Sequence, residues 1–471
     1  MRAPINDYLN KVSREGNYPF HMPGHKRKGF GLCSRAMNYD ITEISGADNL
    51  HHPEGIIRES MDLLSRIYAS KKSWYLVGGS SLGILASIGS VCHAGDTIII
   101  ARNCHQAVYH AIDIFRLHAF YVEPDYDRES HIALSLNPER VRKALEDHPE
   151  AKAVLVTSPT YEGVVSDIRR ISEITAAQGS LLIVDEAHGA HFPFSSDFPE
   201  SAVNCGADLV VQSIHKTLPA MTQTALLHLC SSRVDPDAVS EWLRMLETSS
   251  PSYILLASAE MAVLSLYENP QRMADYAQRI QKFREKCGKL TGIKLFYPQY
   301  NEAGGYDCGK LVFFCRGYGD YLFRRLAEDY RIESEMRTGD YVLLMTSVAD
   351  EDEDFDRLLA ALYDLDACIG REGPVREKRE TPDSPEGLRA EKVFPAWACR
   401  EKEKEKVALE QSCGRICADY VFLYPPGIPL LVPGEKISEE ILEKISSYLY
   451  NGFDVKGTDK GMIRVISGEE K

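Results

Sequence analysis

The stretch LVVQSIHKT, residues Leu209–Thr217, carries an apolar run directly into a lysine, Lys216. Further upstream, LLIVDEAHG, residues Leu181–Gly189, carries a second apolar run into an aspartate, Asp185. Ligands in open α/β sheets bind at the carboxyl ends of the strands, so two adjacent parallel strands would bring both side chains to one crevice. The two stretches therefore predict an α/β fold with a mainly parallel sheet and a ligand site at one of its edges.

A lysine and an aspartate at such an edge suit pyridoxal 5'-phosphate (PLP). The lysine amine forms a Schiff base with the aldehyde of this cofactor, and a carboxylate keeps its pyridine nitrogen protonated so that the ring accepts electrons. A lysine at a strand end is ordinarily a solvated surface charge. Here, however, Ser213 and His215 flank Lys216 with hydrogen-bond donors that suit a phosphate dianion. The sequence therefore predicts an enzyme that uses PLP.

The stretch DEAHGAH, residues Asp185–His191, is also compatible with a metal site, because carboxylates and two histidines lie close together. A regular strand would place Asp185 and Ala187 on one face and Glu186 and His188 on the other, unless the chain turns at the following glycine. Metal ligands need a shared facing geometry. We therefore rank PLP above a metal and expect no metal site.

The stretch VGGSSLGI, residues Val77–Ile84, lies between a predicted strand and an apolar helical run. Backbone amides at the start of a helix favour a bound phosphate, and Gly79 with the hydroxyls of Ser80 and Ser81 would complete that site. The stretch matches neither the GxGxxG nor the Walker A pattern, which disfavours a dinucleotide or a nucleoside triphosphate. We expect it to hold the phosphate of PLP.

His105 follows the predicted strand Asp96–Ala101 and therefore lies at the same edge of the sheet. Its ring is a candidate for stacking against the pyridine of the cofactor. A lone histidine is more often a structural residue. Only the presence of Lys216 and Asp185 makes the stacking role the better interpretation.

From about Trp74 to Leu229 the chain alternates apolar strands with amphipathic helices, which is typical of βαβ units and a mainly parallel sheet. Between two of these strands the isoleucines from Ile168 to Ile174 recur at helical spacing, and Asp167 is placed to cap this crossover helix. The predicted strands are Asp96–Ala101, Ala119–Val122, Ala153–Thr157, Leu181–Asp185, Leu209–Gln212 and Thr224–Leu229.

The remaining pattern divides the chain into five segments. Residues 1–55 form an N-terminal arm that contributes to the active site, 56–270 the large cofactor-binding domain, and 271–369 a small α/β region. Residues 370–390 are charged and rich in proline, which predicts a linker. Residues 391–471 are then a small C-terminal domain.

Composition limits the partners and the compartment. The 471 residues carry a formal net charge of −15, which disfavours a nucleic-acid partner because phosphate backbones require a basic face. An acidic surface suits a cationic substrate, although solubility alone also explains it. No apolar run approaches a membrane span, the first twenty residues lack the apolar core of a secretory signal, and the 12 cysteines show no CxxC pair. We expect a cytoplasmic protein with reduced thiols, bound to no membrane.

Several short blocks of the chain carry a further signal. They are FHMPGHK (Phe20–Lys26), DITE (Asp40–Glu43), DNLHHPEG (Asp48–Gly55), TSPTY (Thr157–Tyr161), SSPSY (Ser249–Tyr253) and YPPGIP (Tyr424–Pro429). Together they resemble the Orn/Lys/Arg decarboxylase family of PLP enzymes, whose fold is like that of aspartate aminotransferase. General aminotransferases lack the N-terminal and C-terminal blocks, so the combination is specific. The chain starts almost at the first block and resembles the short form without an N-terminal response-regulator-like domain.

The resemblance implies PLP-dependent transferase fold type I, with a seven-stranded sheet between helices and a smaller α+β C-terminal domain. It implies decarboxylation of a basic amino acid to the corresponding amine and CO2, with arginine favoured and lysine or ornithine possible. Aminotransferase or aldolase chemistry on the same fold is the alternative, and an inactive partner or regulator is a further one.

The resemblance also implies roles for single residues. Lys216 becomes the Schiff-base lysine, Asp185 the partner of the pyridine nitrogen and His105 the stacking residue. Ser250 falls on a position that reaches the phosphate from a neighbouring subunit, which implies a homodimer or a larger homo-oligomer with shared active sites. The other residues of the implied cofactor site are Gly79, Ser80, Ser81, Ala187, His188, Ser213 and His215.

Three points stay open in the sequence. The proton donor at Cα is either Lys216 or His215. Gln106 and Gly78 depart from the residues common in the family, which bears on substrate preference and cofactor affinity. The candidates for binding the cationic tail of the substrate are Glu162, Glu54, Asp48 and Asp419.

Overall fold

The computed structural model describes residues 2–15, 35–298, 304–372, 390–423, 428–450 and 452–468, with the side chains of 370–372 excepted. The predicted block at 20–26, most of the predicted linker at 370–390, and the first four residues of the block at 424–429 lie outside the described residues.

Helices and short strands alternate through the first half of the described chain, and mixed elements follow. The strands are β1 Lys72–Leu76, β2 Thr97–Ala101, β3 His118–Val122, β4 Ala153–Thr157, β5 Leu181–Asp185, β6 Leu209–Ser213, β7 Ala225–Leu229, β8 Lys294–Leu295, β9 Lys310–Phe314, β10 Met336–Arg337, β11 Tyr341–Met345, β12 Lys404–Ala408, β13 Val421–Leu423, β14 Ile428–Leu431, β15 Val455–Lys456, β16 Thr458–Asp459 and β17 Met462–Ile466. The helices are α1 Pro4–Glu15, α2 Ile56–Tyr68, α3 Gly79–Val91, α4 Gln106–Ile114, α5 Pro138–Asp147, α6 Ile168–Ala177, α7 Ile214–Thr217, α8 Pro236–Leu246, α9 Tyr253–Tyr267, α10 Gln271–Cys287, α11 Gly319–Tyr330, α12 Asp352–Glu372 and α13 Glu439–Tyr450.

The large sheet has seven strands in the order β1-β7-β6-β5-β4-β2-β3. β7 is antiparallel to both of its neighbours, and the pairs among the other strands are parallel. The predicted mainly parallel sheet is confirmed, and each predicted strand is present to within one residue at either end. β5 and β6 are adjacent and parallel, which brings their carboxyl ends to the same edge.

Alternate side chains of each strand enter two different cores, as the two-residue period of a strand requires. In β2, Ile98 and Ile100 pack into the larger core while Ile99 packs into the core on the other face. Both faces are therefore covered, which explains why these strands read as continuous apolar runs.

The predicted crossover helix is α6. The Asp167 carboxylate accepts a hydrogen bond from the backbone amide of Arg170 and caps the helix. Ile168, Ile171 and Ile174 are all buried on its inner face. This helix returns the chain from the end of β4 to the start of β5, which fixes where Asp185 emerges.

The smaller sheets follow. A four-stranded antiparallel sheet has the order β10-β11-β9-β8, and two three-stranded sheets have the orders β12-β17-β16 and β14-β13-β15. The larger core runs without a break from α1 and the seven-stranded sheet to Phe313 and Leu362. A division at residue 270 therefore stays a proposal, as do the other predicted boundaries.

The C-terminal domain has its own apolar core around Val421, Ile441 and Val465. Polar contacts dock it against the large sheet. Arg102, just after β2, donates from Nη2 to Glu435 Oε2 at 3.1 Å, and both side chains are buried. A buried ion pair of this kind fixes one arrangement, because either charge alone would be strongly destabilising there.

Within the described ranges no helix combines the length and apolarity needed to cross a membrane. Every cysteine of those ranges is a free thiol. Most of these thiols are buried, and where a shift is resolved, burial raises the pKa of the thiol, as it does for Cys92, to about 12. The buried thiols therefore stay protonated and unreactive at neutral pH.

Candidate active site

Lys216 lies in α7, a single helical turn that directly follows β6. The side chain is largely buried, and burial lowers the pKa of its ammonium group while the nearby Asp185 carboxylate opposes that shift. Its Nζ lies 3.1 Å from Nε2 of His188. A lysine with a lowered pKa is more often a free amine, which is the form that attacks an aldehyde.

Asp185 ends β5, where it pairs in register with Val211 of β6. It is buried, and burial raises the pKa of its carboxyl group, with Lys216 acting in the opposite direction. Among the described residues its carboxylate accepts one hydrogen bond, from the amide of Ala187 at 3.2 Å. A buried carboxylate with so few partners has unused capacity for a cationic N–H donor, such as a protonated pyridine.

His105 precedes α4 and caps it, because its Nδ1 accepts a hydrogen bond from the amide of Ala107 at 3.2 Å. Burial, together with the charge of Lys216, lowers the pKa of His105 to about 4. The ring is therefore neutral at physiological pH, which suits stacking on an aromatic ring. Gln106 is the first residue of α4 and does not line the cavity.

The predicted phosphate-binding residues lie at the start of α3. Gly79 has a φ of +78°, a conformation that favours glycine. Ser80 and Ser81 follow it in the first turn and line the cavity. Ser213 is fully buried and reaches the site through Ser80, since its Oγ donates to Ser80 Oγ at 2.9 Å.

Gly78 lies just before α3, against the end of a flexible leucine side chain that can move aside. A Cβ atom at this position would lie 2.7 Å from Cδ1 of Leu82. The backbone amide of Gly78 also donates to Glu247 Oε2 at 3.1 Å.

His215 lines the same cavity as Lys216. Its Nδ1 lies 2.9 Å from the carbonyl oxygen of Thr224. A carbonyl only accepts, so Nδ1 carries the proton, and Nε2 is the acceptor of the neutral ring. This hydrogen bond fixes both the tautomer and the orientation of the ring.

These side chains enclose one cavity of about 300 Å³. Thr157 Oγ1 lies on its wall, buried and without a hydrogen-bond partner among the described residues. A second cavity of about 140 Å³ adjoins it between the large domain, the four-stranded sheet and the C-terminal domain. The two share Asn103, Ala133, Glu162 and Ile428. A lysine, a buried carboxylate, a neutral ring and a helix N-terminus around one cavity fit PLP.

The sequence analysis did not predict one charged residue that lies beside the cavity. Lys310, the first residue of β9, is 1% exposed, and its Nζ lies 2.7 Å from Nδ1 of His188. It belongs to a different sheet, far along the chain from Lys216. Its local sequence, DCGKLVFF (Asp307–Phe314), reads as an ordinary strand start. No local signal marks it.

The DEAHGAH stretch does turn after β5, and its side chains separate. Glu186 accepts hydrogen bonds from Ser201 Oγ at 2.6 Å and from the amide of Ala202 at 2.7 Å, away from His188. His191 lies 3.3 Å from Asp307. In the part of the chain that the structure describes, no group of three or more His, Cys, Asp or Glu side chains is arranged to hold a metal.

The four candidates for binding the substrate tail lie in different places. Only Glu162 lines the cavity. The Asp48 carboxylate accepts hydrogen bonds from backbone amides at the start of α2. Glu54 is exposed, and Asp419 pairs with Lys404 at 3.2 Å.

Ser250 lies between α8 and α9, is exposed, and does not line the cavity of its own chain. Its amide donates to Thr248 Oγ1 at 3.2 Å. An exposed position of this kind leaves the side chain accessible to another subunit.

Comparison with known proteins identifies two family models in this chain. The Orn/Lys/Arg decarboxylase major domain matches residues 3–308. The Orn/Lys/Arg decarboxylase C-terminal domain matches residues 390–456. Together they span most of the chain and include every residue of the site described above except Lys310.

Individual relatives agree with these matches. The uncharacterized protein YaaO of Bacillus subtilis (strain 168) is 36% identical over 98% of this chain and 97% of its own length. An arginine decarboxylase of the same organism is 32% identical over 99% of this chain and 98% of its own length. The structure of the constitutive lysine decarboxylase of E. coli superimposes with a TM-score of 0.85, at 19% identity, over 99% of this chain and 82% of that one. The likeness of structure confirms the predicted fold class.

Proposed function

The chain belongs to the Orn/Lys/Arg decarboxylase family, and from that premise we propose that it removes the α-carboxylate of a basic amino acid as CO2, with PLP as cofactor. Arginine is the favoured substrate, and lysine and ornithine are the other candidates. The observation that carries this proposal is the meeting of Lys216 and the buried Asp185 at one cavity, on adjacent parallel strands.

When bound, PLP supplies an aldehyde for covalent attachment and a ring that accepts electrons from Cα of the substrate. Lys216 would hold the aldehyde carbon, and Asp185 would keep the proton on the ring nitrogen through a charge-assisted hydrogen bond. His105 would contact one face of the ring. Ser80 and Ser81, with the amides at the start of α3, would bind the phosphate.

Glu162 is the residue that we propose for the tail of the substrate. Burial raises the pKa of its carboxyl group, while a hydrogen bond from Tyr341 Oη, at 2.9 Å, opposes that shift. It stands where the two cavities meet. A guanidinium presents paired N–H donors that match a carboxylate, so arginine would relieve the cost of burying this charge.

We expect Glu162→Gln to lower kcat/KM for arginine roughly 10- to 100-fold, because hydrogen bonds to charged groups contribute about 1.5–3 kcal/mol. The amide keeps the shape of the side chain and still accepts from Tyr341. Steady-state kinetics measure the effect, and Glu54→Gln, an exposed residue outside the cavity, serves as the matched control. Equal effects of the two substitutions would remove Glu162 from the tail site.

We also propose a homodimer in which Ser250 completes the phosphate site of the neighbouring subunit. Its exposure and its absence from the cavity of its own chain support this arrangement. Mixing Lys216→Ala chains with Ser250→Glu chains is then expected to restore activity that neither variant has alone, because one site of each mixed dimer is intact. Independent sites would give no such recovery after subunit exchange.

The free thiols support a cytoplasmic location.

The proposed activity is tested by incubating the purified protein and PLP separately with arginine, lysine and ornithine. We expect amine formation, with the highest kcat/KM for arginine. Keto-acid formation without amine would indicate an aminotransferase. A preference for lysine or ornithine would keep the reaction and change the substrate.

A further inference from the structure

Decarboxylation requires that a proton reach Cα of the substrate inside the cavity. When CO2 leaves, the electron pair of the broken bond stays with Cα, and a proton must form the new C–H bond. Each turnover therefore consumes one proton, which has to reach the cavity from water. Lys216 is placed to hand over this proton, because its Nζ is released when the substrate amine replaces it on the cofactor.

The structure places a second lysine behind the first. His188 lies between them, with Nε2 at 3.1 Å from Lys216 Nζ and Nδ1 at 2.7 Å from Lys310 Nζ. Burial lowers the pKa of His188 well below its usual range, and the charges of Lys310 and Lys216 lower it further, followed by those of His105 and His191. The ring is therefore neutral.

A neutral imidazole has one N–H and one lone pair. An ammonium group donates only and has no lone pair, so it occupies the acceptor nitrogen of the ring. The other nitrogen carries the hydrogen and needs an acceptor, which only a neutral amine provides. With both contacts formed, at least one lysine of the pair is therefore an amine, and the other is free to carry the positive charge.

The surrounding charges favour the ammonium on Lys310. The Asp307 carboxylate is buried beside it, and contacts with His191, at 3.3 Å, and with the amide of Gly309, at 2.9 Å, keep the pKa of that carboxyl group low despite its burial. Glu335 and Glu162 also act on Lys310, and the ring of Tyr161 lies 5.7 Å away. The carboxylates that act on Lys216 are Asp185, which would also hold the cofactor, and, with a smaller effect, Glu335.

We propose that Lys310 is the proton reservoir of the reaction and passes its proton through His188 to Lys216, from which it reaches Cα of the substrate. This inference rests on the proposed function. Lys310 Nζ gives a proton to Nδ1 of His188, and the proton on Nε2 moves to Lys216 Nζ. The ring changes tautomer and remains neutral.

The number of protons taken up and used is equal over one turnover. Lys216 gives its proton to Cα and becomes an amine, the form that would again hold the aldehyde of the cofactor. Lys310 is left as an amine beside the new Nδ1 proton of His188. It takes this proton back, and Nε2 regains one from water that enters the cavity after the product leaves, which restores the starting tautomer. One substrate carboxylate and one proton thus give one amine and one CO2.

Two substitutions of Lys310 distinguish the loss of proton transfer from the loss of positive charge alone. Lys310→Met removes both the charge and the proton, whereas Lys310→Arg keeps the charge but cannot release its proton at working pH. We expect both to lower kcat roughly 100-fold, with little change in KM, since general acids contribute about 10²–10⁴-fold. Lys294→Met, an exposed lysine of the same sheet, is the control. A wild-type kcat in Lys310→Met overturns the proposal.

His188→Gln provides an independent test that does not depend on whether the larger side chain of the Lys310→Arg variant fits the buried position of Lys310. A glutamine amide accepts from one lysine and donates to the other, but it has no tautomer change with which to pass a proton. We expect it to bind the cofactor with the wild-type absorption spectrum and to show a kcat as low as that of Lys310→Met. A glutamine variant with wild-type kcat overturns the relay.

The pH profile gives a signature that a structural role would not produce. Burial lowers the pKa of Lys310 to about 8, with Asp307 opposing the shift. As the pH rises through that value, Lys310 loses the proton that starts the transfer, so kcat of the wild type falls. In Lys310→Met and Lys310→Arg this fall near pH 8 is expected to disappear. Its persistence in both would assign it to another group.

A final readout needs neither cofactor nor turnover. In the cofactor-free protein, the rate at which Lys216 reacts with acetic anhydride is followed against pH by peptide mass spectrometry. Lys310→Met should raise the apparent pKa of Lys216 by about one unit, because a neighbouring charge is lost, and Lys310→Arg should not. An unchanged Lys216 in Lys310→Met overturns the coupling. A shifted Lys216 in a protein that forms no amine from any basic amino acid keeps the coupling, and overturns both the proton delivery and the proposed function.

Discussion

Replacing Lys216 with alanine is expected to abolish decarboxylation, with kcat lowered at least ~10⁴-fold, as for other residues that form the covalent bond to the reacting group. The same change should remove the visible absorption of the attached cofactor. Lys216 occupies the short helix after β6 with its amine in the cavity, so no other group of that helix can replace it. Steady-state rates and absorption spectra of the purified variant measure both effects.

Lys310 makes it necessary to determine which lysine binds the cofactor, because it is a second buried amine near the same cavity. Borohydride reduction of the wild type followed by peptide mass spectrometry should place the cofactor on Lys216. Lys294→Ala, on the exposed face of the small sheet, should leave both rate and spectrum unchanged. Normal turnover in Lys216→Ala, or cofactor fixed to Lys310 in the wild type, would contradict the assignment.

Replacing Asp185 with asparagine is expected to lower kcat about 10²–10³-fold, the usual effect of removing one aligned electrostatic partner from an active site. The amide oxygen can still accept from Ala187, but a neutral side chain no longer holds the proton on the ring nitrogen. Burial already raises the pKa of the Asp185 carboxyl group, so its charge is unfavourable in the empty protein. The free energy of unfolding of the cofactor-free variant should therefore not fall.

Asp208 provides the matched control for this substitution. It is fully buried just before β6, and its carboxylate accepts from Arg233 Nε at 2.9 Å. Asp208→Asn should lower the free energy of unfolding, because it weakens the ion pair between this buried carboxylate and the exposed Arg233. It should leave kcat of the folded enzyme near the wild-type value. The opposite result, with Asp185→Asn unstable and fully active, would make Asp185 a structural residue.

The core of the site was predictable because it is encoded locally. Lys216 and Asp185 each follow an apolar run, and strand ends of a parallel sheet meet at one edge. Asp167 and the isoleucines of α6 likewise carry their own helix signal. Where a strand end or a helix cap determines the position of a side chain, a few neighbouring residues are enough to predict that position.

What the sequence did not reveal depends on contacts between distant segments. Lys310 enters the site from the four-stranded sheet, and its burial and its contact with His188 have no counterpart in its neighbouring residues. For the same reason, the sequence did not reveal which acidic candidate for binding the substrate tail lies at the cavity. Asp48 and Asp419 bind backbone amides and a lysine elsewhere, and only the packing of Tyr341 against Glu162 distinguishes the one that reaches the cavity.

The central claim is tested most directly by following arginine labelled in its carboxyl group, with PLP present, and measuring released CO2 and amine in the same reaction. We expect equal amounts of the two products from the wild type and none from Lys216→Ala. Amine and CO2 in equal amounts from Lys216→Ala, or neither product from the wild type with arginine, lysine or ornithine, would contradict it.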